Sequence, residues 1–231
     1  MKSLFKAIAV ASLATVSVSA VAEEGSLSLT AGAVSEYVFR GAQLGDAGAY
    51  GSLDYEIAGF YAGVWAIDDG TTSGNDGLET DFYVGYGWEQ DELSLGIGYN
   101  RYEYTYIGDY EHEIALSAGF AGFGLEYVMG DSEDENVGGT SADQEYDVIT
   151  LSWSNDTVGA LVSQVSFDDF DGTTSGEMEY KYAELSGSKE ISGLSFTATL
   201  GTQFDLEANG VDASGAGSEY IVLDVSKSFD L

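Results

Sequence analysis

The sequence predicts an all-β protein: an antiparallel transmembrane β-barrel of twelve strands, with short periplasmic turns and longer acidic outer loops. Three observations carry that prediction. Apolar and polar residues alternate with a period of two through most of the chain. The connections between these segments alternate strictly between short and long. An export leader stands at the N-terminus, and no later apolar run is long enough for a spanning helix.

The leader comes first. Lys2 and Lys6 form a positive start, Ala7 to Val18 is apolar, and Ala20-Val21-Ala22 supplies small residues for a peptidase. Cleavage before Glu23 is expected, giving a signal peptide over 1–22 and a single barrel domain over 23–231. The first strand begins at once. Leu27, Leu29, Ala31, Ala33, Tyr37 and Phe39 share one face, opposite Ser28, Thr30, Gly32, Glu36 and Arg40. The pattern breaks over Gly41 to Gly48. A second strand follows over about 49–57, then the turn Ala58-Gly59, then a third strand over 60–67 that is apolar on both faces. Nine more strands follow, over about 78–88, 93–105, 110–120, 123–130, 144–154, 158–167, 178–190, 194–204 and 218–231.

Short connections lie at 58–59, 89–92, 121–122, 155–157 and 191–193; the longer ones lie at 41–48, 68–77, 106–109, 131–143, 168–177 and 205–217. This asymmetry puts both chain ends on the short-turn side, as in outer-membrane barrels. About eleven residues at ~3.3 Å each, tilted ~40°, rise roughly 28 Å and cover an apolar band of ~25 Å. Aromatics fall where two interfacial girdles are expected. Phe60, Trp88, Phe120, Phe123, Trp153 and Phe229 sit beside the short turns. Tyr37, Phe39, Tyr104, Tyr106, Tyr110, Tyr146, Phe167 and Phe204 sit near the long loops.

Composition excludes several functions. The formal charge is −33, falling to −35 once the two leader lysines are removed. Only Arg40, Arg101, Lys181, Lys189 and Lys227 then remain as strong bases, too few and too scattered for nucleic acid. Absence of cysteine removes disulfides and thiolate metal sites, and absence of proline removes polyproline segments. His112 is the sole histidine, near a strand end on the outward face, and no nucleophile elbow or phosphate-binding glycine loop occurs. The chain reads as no enzyme, with no catalytic residue, metal site or cofactor. The acidic stretches 131–135, 143–147 and 168–171 lack the spacing of known calcium loops.

With apolar residues facing lipid, Glu36, Asp54, Glu56, Glu79, Asp81, Glu111, Glu113 and Glu126 point inward, joined by Arg40. At ~4 Å and an effective dielectric of about 20, each charge pair interacts by about 4 kcal/mol. These nine residues are the candidates for lining a lumen, which would attract small cations and repel anions. Arg40 is read as a brace to Glu36 and to Asp54 or Glu56 on the next strand, with pore lining as its other role. Gly32, Gly63, Gly85, Gly96 and Gly98 can leave a polar passage along the wall. Twelve strands, however, lie below the sixteen to eighteen that reliably leave an aqueous channel, so side chains or an infolded loop can close it.

Ser35-Glu-Tyr-Val-Phe-Arg-Gly41 and Gly59-Phe-Tyr-Ala-Gly-Val-Trp-Ala66 resemble motifs of the TorF-type porin family, a group of bacterial outer-membrane proteins. Glu79-Thr-Asp-Phe-Tyr-Val-Gly-Tyr86 is similar to a further family segment, as, more loosely, are Gly98-Tyr99, Tyr102, Tyr104 and Tyr110-Glu111. Ile67 stands where that family has Ser. The resemblance implies a barrel in the outer membrane of a Gram-negative bacterium, and it brings no substrate and no catalytic residue. The expected partners are outer-membrane lipid, the barrel assembly machinery during biogenesis, and small cations or solutes. The expected function is a narrow, cation-preferring porin for passive passage. The alternative is a non-conducting barrel acting as a surface-interaction or envelope-structural protein through its acidic loops.

Overall fold

The computed structural model describes residues 25–68, 77–105, 110–133, 144–168, 177–208, 211–212 and 218–231. The leader, its cleavage point and positions 134–135, 143 and 169–171 of the acidic stretches lie outside the described residues. The described residues form fifteen strands and contain no helix. They are β1 (Ser26–Val34), β2 (Tyr37–Phe39), β3 (Ala42–Gly45), β4 (Gly48–Ile57), β5 (Phe60–Asp68), β6 (Leu78–Gln90), β7 (Leu93–Tyr104) and β8 (Tyr110–Phe120). The remainder are β9 (Phe123–Glu133), β10 (Gln144–Ser154), β11 (Val158–Asp168), β12 (Met178–Ile191), β13 (Leu194–Ala208), β14 (Val211–Asp212) and β15 (Glu219–Asp230).

Twelve of these strands form a closed antiparallel ring. Each long strand pairs with its sequence neighbour, and β1 meets β15 through Ser28↔Asp230 to Val34↔Asp224. Closure leaves the ring no free edge, which a lipid-facing sheet requires. The two-residue β14 is a ribbon on the end of β13, and β2 pairs only with β3.

Three of the short turns owe their tightness to backbone chirality. Ala58-Gly59, Ala121-Gly122 and Ser192-Gly193 all hold both central residues at positive φ, the geometry that matches strand twist in a two-residue hairpin. At the fourth, Asn155 Oδ1 accepts from the Thr157 and Val158 amides at 2.9 and 3.0 Å, so an amide side chain sets the turn.

The period-two pattern sorts the wall into two faces. Leu29, Leu53, Val84, Ile97, Leu151 and Leu200 are among the many apolar side chains exposed on the outside. Such a surface belongs in hydrocarbon. Phe60, Phe120, Phe123 and Phe229 are exposed beside the short turns, as a girdle requires. The expected girdle at the opposite end is built from only some of the residues assigned to it: Tyr110 and Phe204 keep the outward phase of Ile114 and Leu200, whereas others turn inward. Tyr37 and Tyr146 are buried, Phe39 packs against Tyr102, and Phe167 packs between Tyr146 and Tyr180. On β10 and β11, Tyr146 and Phe167 occupy inward positions of the alternation, so they fill the interior; Tyr106 lies outside the described residues.

The first strand also departs from expectation. It leaves the wall at Val34 rather than running on to Arg40. The Ser35 amide donates to the Leu223 carbonyl at 2.9 Å, and Ser35 Oγ accepts from the Leu223 amide at 2.8 Å. Beyond that anchor the chain forms the β2–β3 hairpin, closed at its base by the Tyr37 amide donating to the Asp46 carbonyl at 3.1 Å. Arg40 (φ 50°) and Gly41 (φ 77°) form its tip, the same positive-φ pair seen in the wall turns.

Candidate functional site

The hairpin lies inside the barrel, where it meets walls on nearly opposite sides. Tyr37 packs on Trp65 of β5 with ring centroids 6.0 Å apart, and its hydroxyl donates to Glu79 Oε1 of β6 at 2.9 Å. Phe39 lies 6.0 Å from the ring of Tyr102 on β7. Val38 joins Tyr220 and Val222 of β15 in a buried cluster. A Cβ on Gly41 would meet Tyr182 Cβ of β12 at 2.5 Å, so only glycine lets the tip approach that wall. Beside the hairpin opens a cavity of about 1090 Å³ whose lining includes Glu36, Gln43, Glu184, Gln203 and Glu219.

The tip delivers Arg40 to Glu113, the least exposed carboxylate among the described residues. Arg40 Nη1 donates to Glu113 Oε1 at 2.5 Å, with Arg40 only 8% exposed and Glu113 1%. Tyr146 donates to the same oxygen at 2.6 Å, and Tyr102 donates to Oε2 at 2.8 Å. The guanidinium also lies over the Phe39 and Tyr146 rings, 4.6 and 5.6 Å from their centroids. Burying an ionised carboxylate costs least when its oxygens are matched this fully.

The wall around this centre is lined by tyrosine laid over glycine. Gly32↔Tyr50, Gly63↔Tyr83, Gly85↔Tyr61, Gly130↔Tyr146 and Gly201↔Tyr220 are directly opposed cross-strand pairs. In each, a Cβ on the glycine would collide with the tyrosine ring. Aromatic cover of strand glycines is a known device for holding a curved wall. The glycines therefore do not leave the passage expected along Gly32, Gly63 and Gly85; rings occupy that space. Several of these hydroxyls end on carboxylates. Tyr83 donates to Asp54 Oδ1, Tyr50 donates to Asp224 Oδ2 at 2.7 Å, and Tyr220 donates to Glu184 Oε1 at 2.6 Å.

A sequence profile of the family Gcw_chp, described as a bacterial protein of unknown function, matches residues 20–229. The chain belongs to the Gcw_chp family. The TorF-type label rests on motif resemblance alone. No curated protein matches the chain. Among solved structures, this Gcw_chp protein is similar to OprD of Pseudomonas aeruginosa, with a TM-score of 0.49 and 13% identity over 89% of this chain and 67% of that one. It is also similar to OccK9 (OpdG) of the same bacterium, with a TM-score of 0.45 and 12% identity over 83% of this chain and 57% of that one. OpdK of Pseudomonas aeruginosa, solved with vanillate, gives 0.45 and 10% over 83% and 58%. The Gcw_chp chain thus spans about two thirds or less of the length of these structures, and no residue role is taken from them.

The candidates from sequence fall as follows. Asp54, Glu56, Glu79, Asp81, Glu111, Glu113 and Glu126 all occupy inward positions of their strands. Asp54 also accepts from Ser52 Oγ at 2.6 Å, and Glu111 accepts from Tyr146 at 3.1 Å. Glu126 stands between Ser117 and Thr150 in the register. Asp81 is 2% exposed, and its Oδ1 has no hydrogen-bond partner. Glu36 lies at the foot of the hairpin, off the wall. Arg40 is corrected most: its ion-pair partner is Glu113, not Glu36, Asp54 or Glu56, because the hairpin carries it off the wall to β8. Glu184 and Asp224 were missed, although their inward phase in the Tyr180-Tyr182-Glu184 and Tyr220-Val222-Asp224 alternations was available to find them.

Proposed function

We propose that this chain is an outer-membrane porin through which small cations or solutes pass without an energy source, and that its hairpin sets how wide the path is. The observation that carries the reading is the charge of the inner face. Carboxylates at nine inward positions on the wall, the seven above with Glu184 and Asp224, face one strong base, Arg40, which is already neutralised by Glu113. The other described bases sit outside that lining. Arg101 pairs with Glu103 at 2.9 Å, Lys181 lies 3.5 Å from Asp205, and Lys227 lies over Phe229. A confined field of one sign raises the local concentration of the opposite ion and excludes the like one. The apolar exterior with its aromatic ring at the short-turn end supports the membrane placement.

Purified barrel in planar bilayers tests this. Wild type should show small conductance steps with reversal potentials on the cation side, and replacing residues 36–46 by a short glycine linker should enlarge the steps. Silent bilayers for both proteins, or anion preference in the linker variant, would overturn the reading. The hairpin itself favours a second reading, a barrel that never conducts and acts through its loops. That reading requires silence from the linker variant and a loop-dependent phenotype in cells.

A further inference from the structure

The ligands of the Arg40 side chain and the carrier of that side chain belong to different parts of the molecule. Glu113, Tyr102 and Tyr146 stand on β8, β7 and β10, all strands of the closed wall. Arg40 stands on a hairpin that pairs with no wall strand. The three wall groups form a cage with one carboxylate, fixed by two phenol hydroxyls, and one aromatic face beneath the occupant. Such a cage recognises a flat cation by charge, by hydrogen bonding in the plane and by stacking.

A second feature shows unused capacity beside it. Asp81 stands directly opposite Tyr102 of the cage in the β6–β7 register, and its buried Oδ1 makes no hydrogen bond. A buried acceptor without a donor is a standing penalty that a further N–H donor relieves. Among the described residues, no group of three or more His, Cys, Asp or Glu is arranged for a metal ion. The arrangement suits an organic cation carrying several N–H groups.

We propose that the Glu113 cage is a binding station for a planar organic cation of the guanidinium class, and that Arg40 occupies it as an internal ligand which such a cation displaces. The hairpin and the solute then compete for one carboxylate, and a cation entering the lumen loosens the segment that obstructs it. This deepens the porin reading by naming its solute class, yet the binding is measured without any current. A barrel that is silent in bilayers but binds guanidinium would defeat the porin reading alone.

Two measurements on purified, folded barrel test the proposal, with guanidinium chloride at tens of millimolar compared with sodium chloride at equal ionic strength. First, the chain contains no cysteine, so A42C beside the tip gives a single label site. Maleimide should modify A42C severalfold faster in guanidinium than in sodium, and the A42C/E113Q variant should lose that difference. Second, R40A should unfold at a temperature about 3 °C higher in guanidinium than in sodium, as site occupancy requires, while R40A/E113Q should not. Equal labelling rates in the two salts, or the same response with and without Glu113, would overturn the proposal. Should R40A give no heat-modifiable band, the A42C labelling decides alone.

Discussion

The state of Glu113 is the most consequential residue-level fact. Its two oxygens accept from Arg40, Tyr146 and Tyr102, so the charge is buried but fully matched. Taking away one partner leaves the other charge stranded, which costs about 3–5 kcal/mol, whereas removing both partners of such a pair costs far less. E113Q is therefore expected to lower stability to urea by about 3–5 kcal/mol, and R40A/E113Q to lose less than the two single changes together. Heat- and urea-dependent migration of the folded barrel measures both. The glycine–tyrosine pairs give a second residue-scale expectation. A methyl group at Gly63 would meet the Tyr83 ring that donates to Asp54, so Gly63→Ala should lose roughly 1–3 kcal/mol through overpacking.

At the scale of elements, the hairpin separates what could be read from sequence and what could not. Wall strands were legible because one face had to meet lipid: β8 and β10 run over the predicted residues, and β5 exceeds its prediction only by Asp68. The path after Val34 was not legible from alternation alone. Tyr37 and Phe39 keep the phase of Leu27 and Leu29, although the former point into the lumen and the latter into lipid. Two local signals did mark the change. Arg40-Gly41 matches the residue-glycine turns at 58–59 and 121–122, and the doubly apolar β5 needed a cover for Trp65 and Ile67. The partner of Arg40 was beyond reach, because it depends on where an infolded segment ends, some seventy residues from Glu113 in the chain. Gly41 tests the element. Gly41→Ala places a methyl group against Tyr182 in a backbone region that favours glycine. The tip should then be held off the β12 wall, with larger conductance steps and an unchanged heat-modifiable barrel.

For the whole molecule, the arrangement of charge is as telling as its amount. The chain carries −33 overall, yet among the described residues the bases are spread over the outside while the interior keeps one, already paired. Inward acids were readable because carboxylates cannot face hydrocarbon, so strand phase alone assigns them. How open the interior is was not readable, since five cross-strand tyrosines and the hairpin fill space that strand number merely bounds. Selectivity should then arise from screened Coulomb attraction in a narrow, wet path. The Debye length is about 10 Å at 0.1 M salt and about 3 Å at 1 M. At the lower salt, every lining carboxylate acts across the whole constriction; at the higher, only those a permeating ion touches still act. Cation preference in the hairpin-linker variant, read from reversal potentials under a potassium chloride gradient, is therefore expected to be strong near 0.1 M and to weaken sharply toward 1 M. Adding E79Q and D81N should weaken the low-salt preference, in proportion to the share of lining charge they remove, with little change in conductance at 1 M. A preference insensitive to both salt and these substitutions would place the filter elsewhere in the molecule.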